Sequence, residues 1–177
     1  MPASDPVVSA TTAVRDSIGA LLVRELRAVQ REIDAYPDEA SVWRALPGVP
    51  NTGGTLALHL AGNIQHFVGA ILARDGYVRD RDAEFARRDV PRSALRADLD
   101  RAIASVQRTI GALRDDQLLA PYPEPIAKRT VTTPVFLLHL LAHLAYHLGQ
   151  IDVHRRAVSG DERGIDAVSV RELPEVR

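Results

Sequence analysis

Four of the chain's six histidines fall between residues 139 and 154: His139, His143, His147 and His154, with Gln150 among them. Imidazole both ligates transition metals and exchanges protons near neutral pH, so this clustering points first to metal or acid–base chemistry. On a helical wheel of about 100° per residue, His143, His147, Gln150 and His154 all lie within about 80° of His139. The adjoining flank carries Leu137, Leu140, Leu141, Leu144, Leu148 and Ile151, the stripe that a core-facing helix needs. The imidazoles therefore line the shoulder of a core.

His143 and His147 are four residues apart, so they project from consecutive turns and can share one ion at about 2.0–2.1 Å from each nitrogen. Zinc peptidases space their HExxH histidines identically. Here Leu144, Ala145 and Tyr146 lie between, so the glutamate base of that class is missing. His147 is nearest the apolar stripe, which favours the His143–His147 pair over His139–His143. His59 stands on the core shoulder of a second helix and supplies a third imidazole. Three neutral imidazoles leave a coordination position open, as a catalytic metal site requires. The other reading is that these histidines hydrogen-bond one another and the backbone without metal.

Asn63 and Gln150 sit one turn from these histidines and could orient them or a substrate; interhelical polar pairing is their alternative. His66 falls toward the rim. His139 and His154 fit a rim, a substrate contact or a dimer surface, and neither is assigned chemistry. Tyr146 reads as packing or interface. Asp152, Arg155 and Arg156 read as solvated helix-end charges, the arginines near the negative end of the dipole.

Helical periodicity supplies the elements that carry these residues. Val14, Ile18, Leu21, Leu22, Leu26, Val29 and Ile33 mark a first helix over about 12–36. Pro37, Pro47, Gly48, Pro50, Gly53 and Gly54 then enforce a loop whose Trp43 lids the bundle end. A second helix is expected from a Thr55 cap to about Asp75, stopped by Gly76. Its Gly62 and Gly69 suggest close approach of another helix backbone. Pro91 opens a third helix along Leu95, Leu99, Ile103, Val106, Ile110 and Leu113. Residues 77–90 read as a charged connector, and residues 115–132, with Pro121, Pro123 and Pro125, as at most a short extended segment. Thr133 and Pro134 open the histidine helix. The pattern predicts an all-α fold, a four-helix bundle with at least one crossover connection. One domain spans 1–177, with a core at about 12–158 and a polar, weakly patterned tail at 159–177.

The 177 residues can bury a sizeable core. The net charge of −1, from 22 basic and 23 acidic side chains, gives no steering toward nucleic acid or an anionic membrane. With no cysteine, a metal must be held by His, Asp or Glu, and thiol chemistry must use an external thiol. The first residues lack a signal-peptide pattern, and no apolar run approaches about 20 residues. The expectation is a cytoplasmic protein acting on a small molecule, with no nucleic-acid or membrane partner.

The segments LALHLAGNIQHFVGAIL (56–72) and HLLAHLAYHLGQIDVHRR (139–156) resemble the DinB-like (DinB/YfiT) superfamily of metalloenzymes, through HLxGN in the first and HxxxHxGQ in the second. VWRALPGVPNTGGTLALHL (42–60) is similar to the loop that precedes the first motif there. The resemblance implies that His59, His143 and His147 are metal ligands, with zinc or nickel, in a four-helix bundle that often forms homodimers. It further implies a thiol-dependent S-transferase using a low-molecular-weight thiol such as bacillithiol or mycothiol. A metal-dependent hydrolase, or a non-catalytic stress-response binding protein with the same site, is the alternative. No catalytic residue beyond the metal set is assigned.

Overall fold

A computed structural model describes residues 9–173 of the chain. Helix α1, Ala10–Asp34, starts where the Ser9 hydroxyl accepts a hydrogen bond from Thr12 N–H, and it buries Ile18, Leu22, Leu26, Val29 and Ile33 as the periodicity requires. Helix α2, Gly53–Ile64, is capped by Thr52, whose hydroxyl accepts from Thr55 N–H at 3.3 Å. The cap is thus three residues earlier than the expected Thr55. Beyond Ile64 the same rod continues as a π-helix over Gln65–Ala73. Its hydrogen bonds skip one residue more than in an α-helix, so a wheel drawn from His59 loses phase from there on. Arg74, in the left-handed region at φ 55°, ends the rod ahead of Gly76.

Two short helices fall in segments expected to have none. Asp80 accepts from Ala83 N–H at 2.9 Å and starts α3, Arg81–Ala86, inside the charged connector. Helix α4, Arg92–Ala112, follows Pro91. Helix α5, Asp115–Leu119, fills the start of the stretch expected to be at most extended, and two isolated antiparallel bridges, Pro121 with Thr132 and Ile126 with Arg129, supply the extended part. Both are too short for a periodic signal, so only their polar first turns were legible. Helix α6, Thr133–Ser159, begins with Pro134 in its first turn and ends at Gly160, φ 70°. No β-strand occurs among the described residues.

α1 packs mainly on α4 and α6, and so does α2, which leaves α1 and α2 on opposite corners of the bundle. The connections 35–52 and 113–132 must then each cross an end of the bundle diagonally, so the expected crossover occurs twice. Leu22, Leu60, Leu99, Leu137 and Ile151 are fully buried in the core, each burial contributing about 1.5–3 kcal/mol. Trp43 closes the end as predicted: its indole N–H donates to Val90 O at 3.2 Å, and a Cβ on Gly54 would overlap the ring. The rod Gly53–Ala73 is long and apolar enough to cross a membrane, but 67% of its most apolar stretch is buried in the bundle, which accounts for its composition.

The end of α6 departs from expectation. Arg155 is not a solvated helix-end charge: it is 1% exposed and donates to Glu32 Oε2 at 2.6 Å and Asp152 Oδ1 at 3.2 Å. His154 is equally buried. Its Nε2–H donates to Arg44 O at 2.8 Å while Nδ1 accepts from the Tyr36 hydroxyl at 2.7 Å, so it ties α6 to the loop after α1 and reaches no rim. Within the described part of the tail, Arg31 on α1 donates to Ala167 O at 2.6 Å and to Glu172 at 2.9 Å, which ties that segment to the bundle.

Candidate metal centre

The mid-section of α2 presents His59, and the outer shoulder of α6 presents His143 and His147 one turn apart. The three rings meet. His143 Nε2 lies 3.3 Å from His59 Nε2 and 3.1 Å from His147 Nε2, and one ligand atom from each residue falls within 4.8 Å of the others. Tetrahedral ligands about 2.0–2.1 Å from a common zinc ion are about 3.3–3.4 Å apart. The two separations fit ligands around a shared cation and also lie within hydrogen-bond range.

Tautomers support the same reading. His59 Nδ1 faces Glu84 Oε2 at 3.0 Å, and His147 Nδ1 faces Gln150 Oε1 at 2.7 Å. Glu84 accepts at 3.0 Å, closer than the 3.3 Å approach of the Arg79 Nη2 donor to the same nitrogen, so His59 Nδ1 carries the proton; with Gln150 presenting Oε1, His147 Nδ1 does too, and both Nε2 atoms then offer lone pairs. His143 can donate from Nε2 to one of them at most, and its own Nδ1 is buried without a partner. Hydrogen bonding within the trio therefore leaves at least one Nε2 lone pair unmatched, whereas a cation between them would match all three. The donor set fits a divalent ion of the zinc or nickel kind.

Electrostatics keep the two α6 imidazoles uncharged. Burial, reinforced by His147, His59, His139 and Arg79, pushes the His143 imidazole down to about 4. Burial also lowers His147, against the opposing hydrogen bond that its Nδ1–H donates to Gln150. Burial acts to raise the Glu84 carboxyl, but hydrogen bonds from Arg79 and His59 overcome it and hold the group below the usual carboxylate range. Neutral imidazoles backed by an ionised carboxylate are the protonation states that metal ligation requires.

Glu84 and Arg79 are the site residues that the sequence reading missed. Arg79 grips the Glu84 carboxylate with both arms, Nε to Oε1 at 2.7 Å and Nη2 to Oε2 at 2.8 Å, while Glu84 holds His59. Both come from the connector and α3, where no periodicity announces them. The available signal was Gly62, three residues after His59: a Cβ there would overlap Glu84 Oε1. The glycine makes room for a carboxylate, not for a helix backbone. Gly69 likewise opens space for the side chains of Asp75 and Ser105.

Gln150 stands where expected, against a ring of the trio. Asn63 is buried but hydrogen-bonds none of the three imidazoles, and its Oδ1 has no partner. His139 is exposed and stacks between Phe136 and His143. His66 is half-buried with Glu124 3.9 Å away, outside the trio as predicted.

Comparison with known proteins adds one match: the sequence profile described as MST, mycothiol-S-transferase, aligns with residues 17–160. The chain belongs to the mycothiol-S-transferase family. That family falls within the DinB/YfiT-like superfamily suggested by the two histidine motifs. The mycothiol-S-transferase match takes in most of α1 and all of α2 to α6, and with them His59, Arg79, Glu84, His143, His147 and Gln150. No curated protein matches the chain.

Proposed function

We propose that the protein is a metal-dependent thiol S-transferase in which His59, His143 and His147 hold a divalent cation, zinc or nickel, and mycothiol supplies the sulfur. The observation that carries the metal assignment is the approach of the His59 and His147 Nε2 atoms to His143 Nε2, at 3.3 and 3.1 Å, within a cluster whose ligand atoms all lie within 4.8 Å, while the Nδ1 atoms of His59 and His147 are engaged elsewhere. Membership of the mycothiol-S-transferase family supports the reaction class. Imidazole ligands add no charge of their own, so a cation held there would keep its full charge and would lower the pKa of a bound thiol. The chain's own residues do the rest. Glu84 fixes the tautomer and direction of His59, Arg79 keeps Glu84 ionised, and Gln150 fixes His147. Because the chain has no cysteine, the nucleophilic sulfur must come from the co-substrate.

The test is turnover of metal-loaded protein with an electrophile in the presence of mycothiol, bacillithiol or no thiol. Acceleration that needs mycothiol and disappears in His147→Ala supports the assignment. Turnover without thiol would replace it with a water-activating hydrolase. Metal binding with no turnover under any condition would leave a binding protein. The proposal includes a cytoplasmic homodimer. Val135 and Leu138, 57% and 50% exposed on one face of α6, support a surface for a second copy, and light scattering measures the mass.

A further inference from the structure

A groove of about 430 Å³ runs beside the histidine trio, between the turn at 46–51 and the outer flank of α6. Its walls are Leu46, Val49 and Pro50 on the loop side and Tyr146 and Val153 on the helix side, over Leu56 of α2. None of its lining side chains is acidic, and none is lysine or arginine. The one histidine there, His154, has both ring nitrogens engaged, by Tyr36 and by Arg44 O. The inner edge is Gln150, whose Oε1 is occupied by His147 Nδ1. Its amide N–H groups have no partner among the described hydrogen bonds and remain to serve a ligand. Tyr146 connects groove to site from the other side, its ring centroid 5.2 Å from that of His147.

A concave, apolar site of this size with one or two fixed amides is the usual form of a small-molecule pocket. Its chemistry selects. The Asn51 amide, the Tyr146 hydroxyl and the Gln150 amide can meet neutral polar atoms there, but a carboxylate would lose water without a cationic partner, at a cost of about 1–3 kcal/mol or more. An uncharged body with a single acceptor oxygen would lose none. We propose that the groove binds the electrophilic co-substrate: an uncharged molecule with an aromatic or aliphatic body and one acceptor group that the Gln150 amide meets. This rests on the transferase reading above. In the reaction served, the thiol loses its proton to solvent and a sulfur lone pair forms the new C–S bond. A displaced group such as chloride departs with the electron pair of the broken C–Cl bond.

The experiment uses zinc-loaded full-length protein and the probes naphthol and naphthoate, which share a ring system and differ in charge. Calorimetric titration should show naphthol binding at least about tenfold more tightly than naphthoate, and naphthol affinity falling at least about tenfold in Val153→Trp and in Ala157→Phe. Both positions lie on the exposed flank of α6, so zinc content and melting temperature should stay at the wild-type values. With mycothiol and phenacyl chloride, an uncharged aromatic electrophile with one carbonyl acceptor and a chloride leaving group, Val153→Trp should raise KM for the electrophile and leave KM for the thiol unchanged. Naphthol that fails to bind, binds no better than naphthoate, or is indifferent to both substitutions would overturn the assignment. Groove-dependent naphthol binding in a protein that shows no thiol-dependent turnover would uphold the groove and overturn the transferase reading instead.

Discussion

Replacing Glu84 by glutamine removes one charge and no volume, from a residue that never touches the proposed ion. The side chain is 7% exposed and receives three hydrogen bonds, from His59 Nδ1 at 3.0 Å and from Arg79 at 2.7 and 2.8 Å. An amide can accept with one oxygen only, and its NH2 must face a donor. If the oxygen stays with His59, the ring keeps its tautomer and loses only the carboxylate's polarisation. If the oxygen turns to Arg79, the ring is free to rotate. Loss of such a partner typically weakens metal binding by about 10–100-fold, or about 1.4–2.8 kcal/mol. The metal-free fold should weaken too, because Arg79, 11% exposed, keeps its charge without the anion; about 3–5 kcal/mol is the upper range for breaking a buried pair. Competition titration against a zinc-chelating dye gives the first quantity, and urea melts of the apo protein give the second. A Glu84→Gln variant that binds zinc within about twofold of wild type would refute the claim that Glu84 tunes His59.

Gly62→Ala should reproduce the metal-affinity loss by another route, since its Cβ would occupy the place of Glu84 Oε1; Gly111→Ala, with open space around it, serves as the control and should gain up to about 1 kcal/mol of helix stability. Arg155→Met should cost about 3–5 kcal/mol in chemical denaturation because it strands Glu32, whereas Arg155→Met combined with Glu32→Leu should recover much of it. Burial depresses the His154 imidazole. The unfolded chain therefore takes up a proton that the folded one refuses as pH drops below about 6.5, so stability present above that value should fall on acidification. His154→Gln should remove its share of this dependence in melts across that range, leaving the share that the depressed His143 and His147 contribute with the same sign.

The long elements were legible because each carries enough turns for its apolar stripe to repeat. Leu22, Leu26, Val29 and Ile33 identify α1, and Leu137, Leu140, Leu144, Leu148 and Ile151 identify α6, before any coordinates are considered. Their corners in the bundle were less legible: long connectors imply a crossover, but nothing local says that both connections run diagonally. Arg155 was misread for a related reason. A wheel shows which side of a helix a residue occupies, not whether a neighbouring helix brings Glu32 within 2.6 Å of it.

The site divides along the same line. His143 and His147 are a pair by helical spacing alone, and His59 joins them because a bundle brings the shoulders of two core helices together. The groups that set their protonation are split. Gln150 was found because it shares a helix with the ring it holds, whereas Glu84 comes from a six-residue helix whose sequence could equally be a solvated connector. What fixes Glu84 in place lies on another element, in the missing side chain of Gly62 and the double grip of Arg79. A glycine in the middle of a buried helix costs about 1 kcal/mol, so at the turn beside His59 it is best read as space kept for an incoming group. Since the histidines were already on one face, the question to ask of that space is which acceptor could reach Nδ1. In the connector that follows, Asp80, Asp82, Glu84 and Asp89 are the carboxylates on offer, and Asp80 is taken up as the cap of α3.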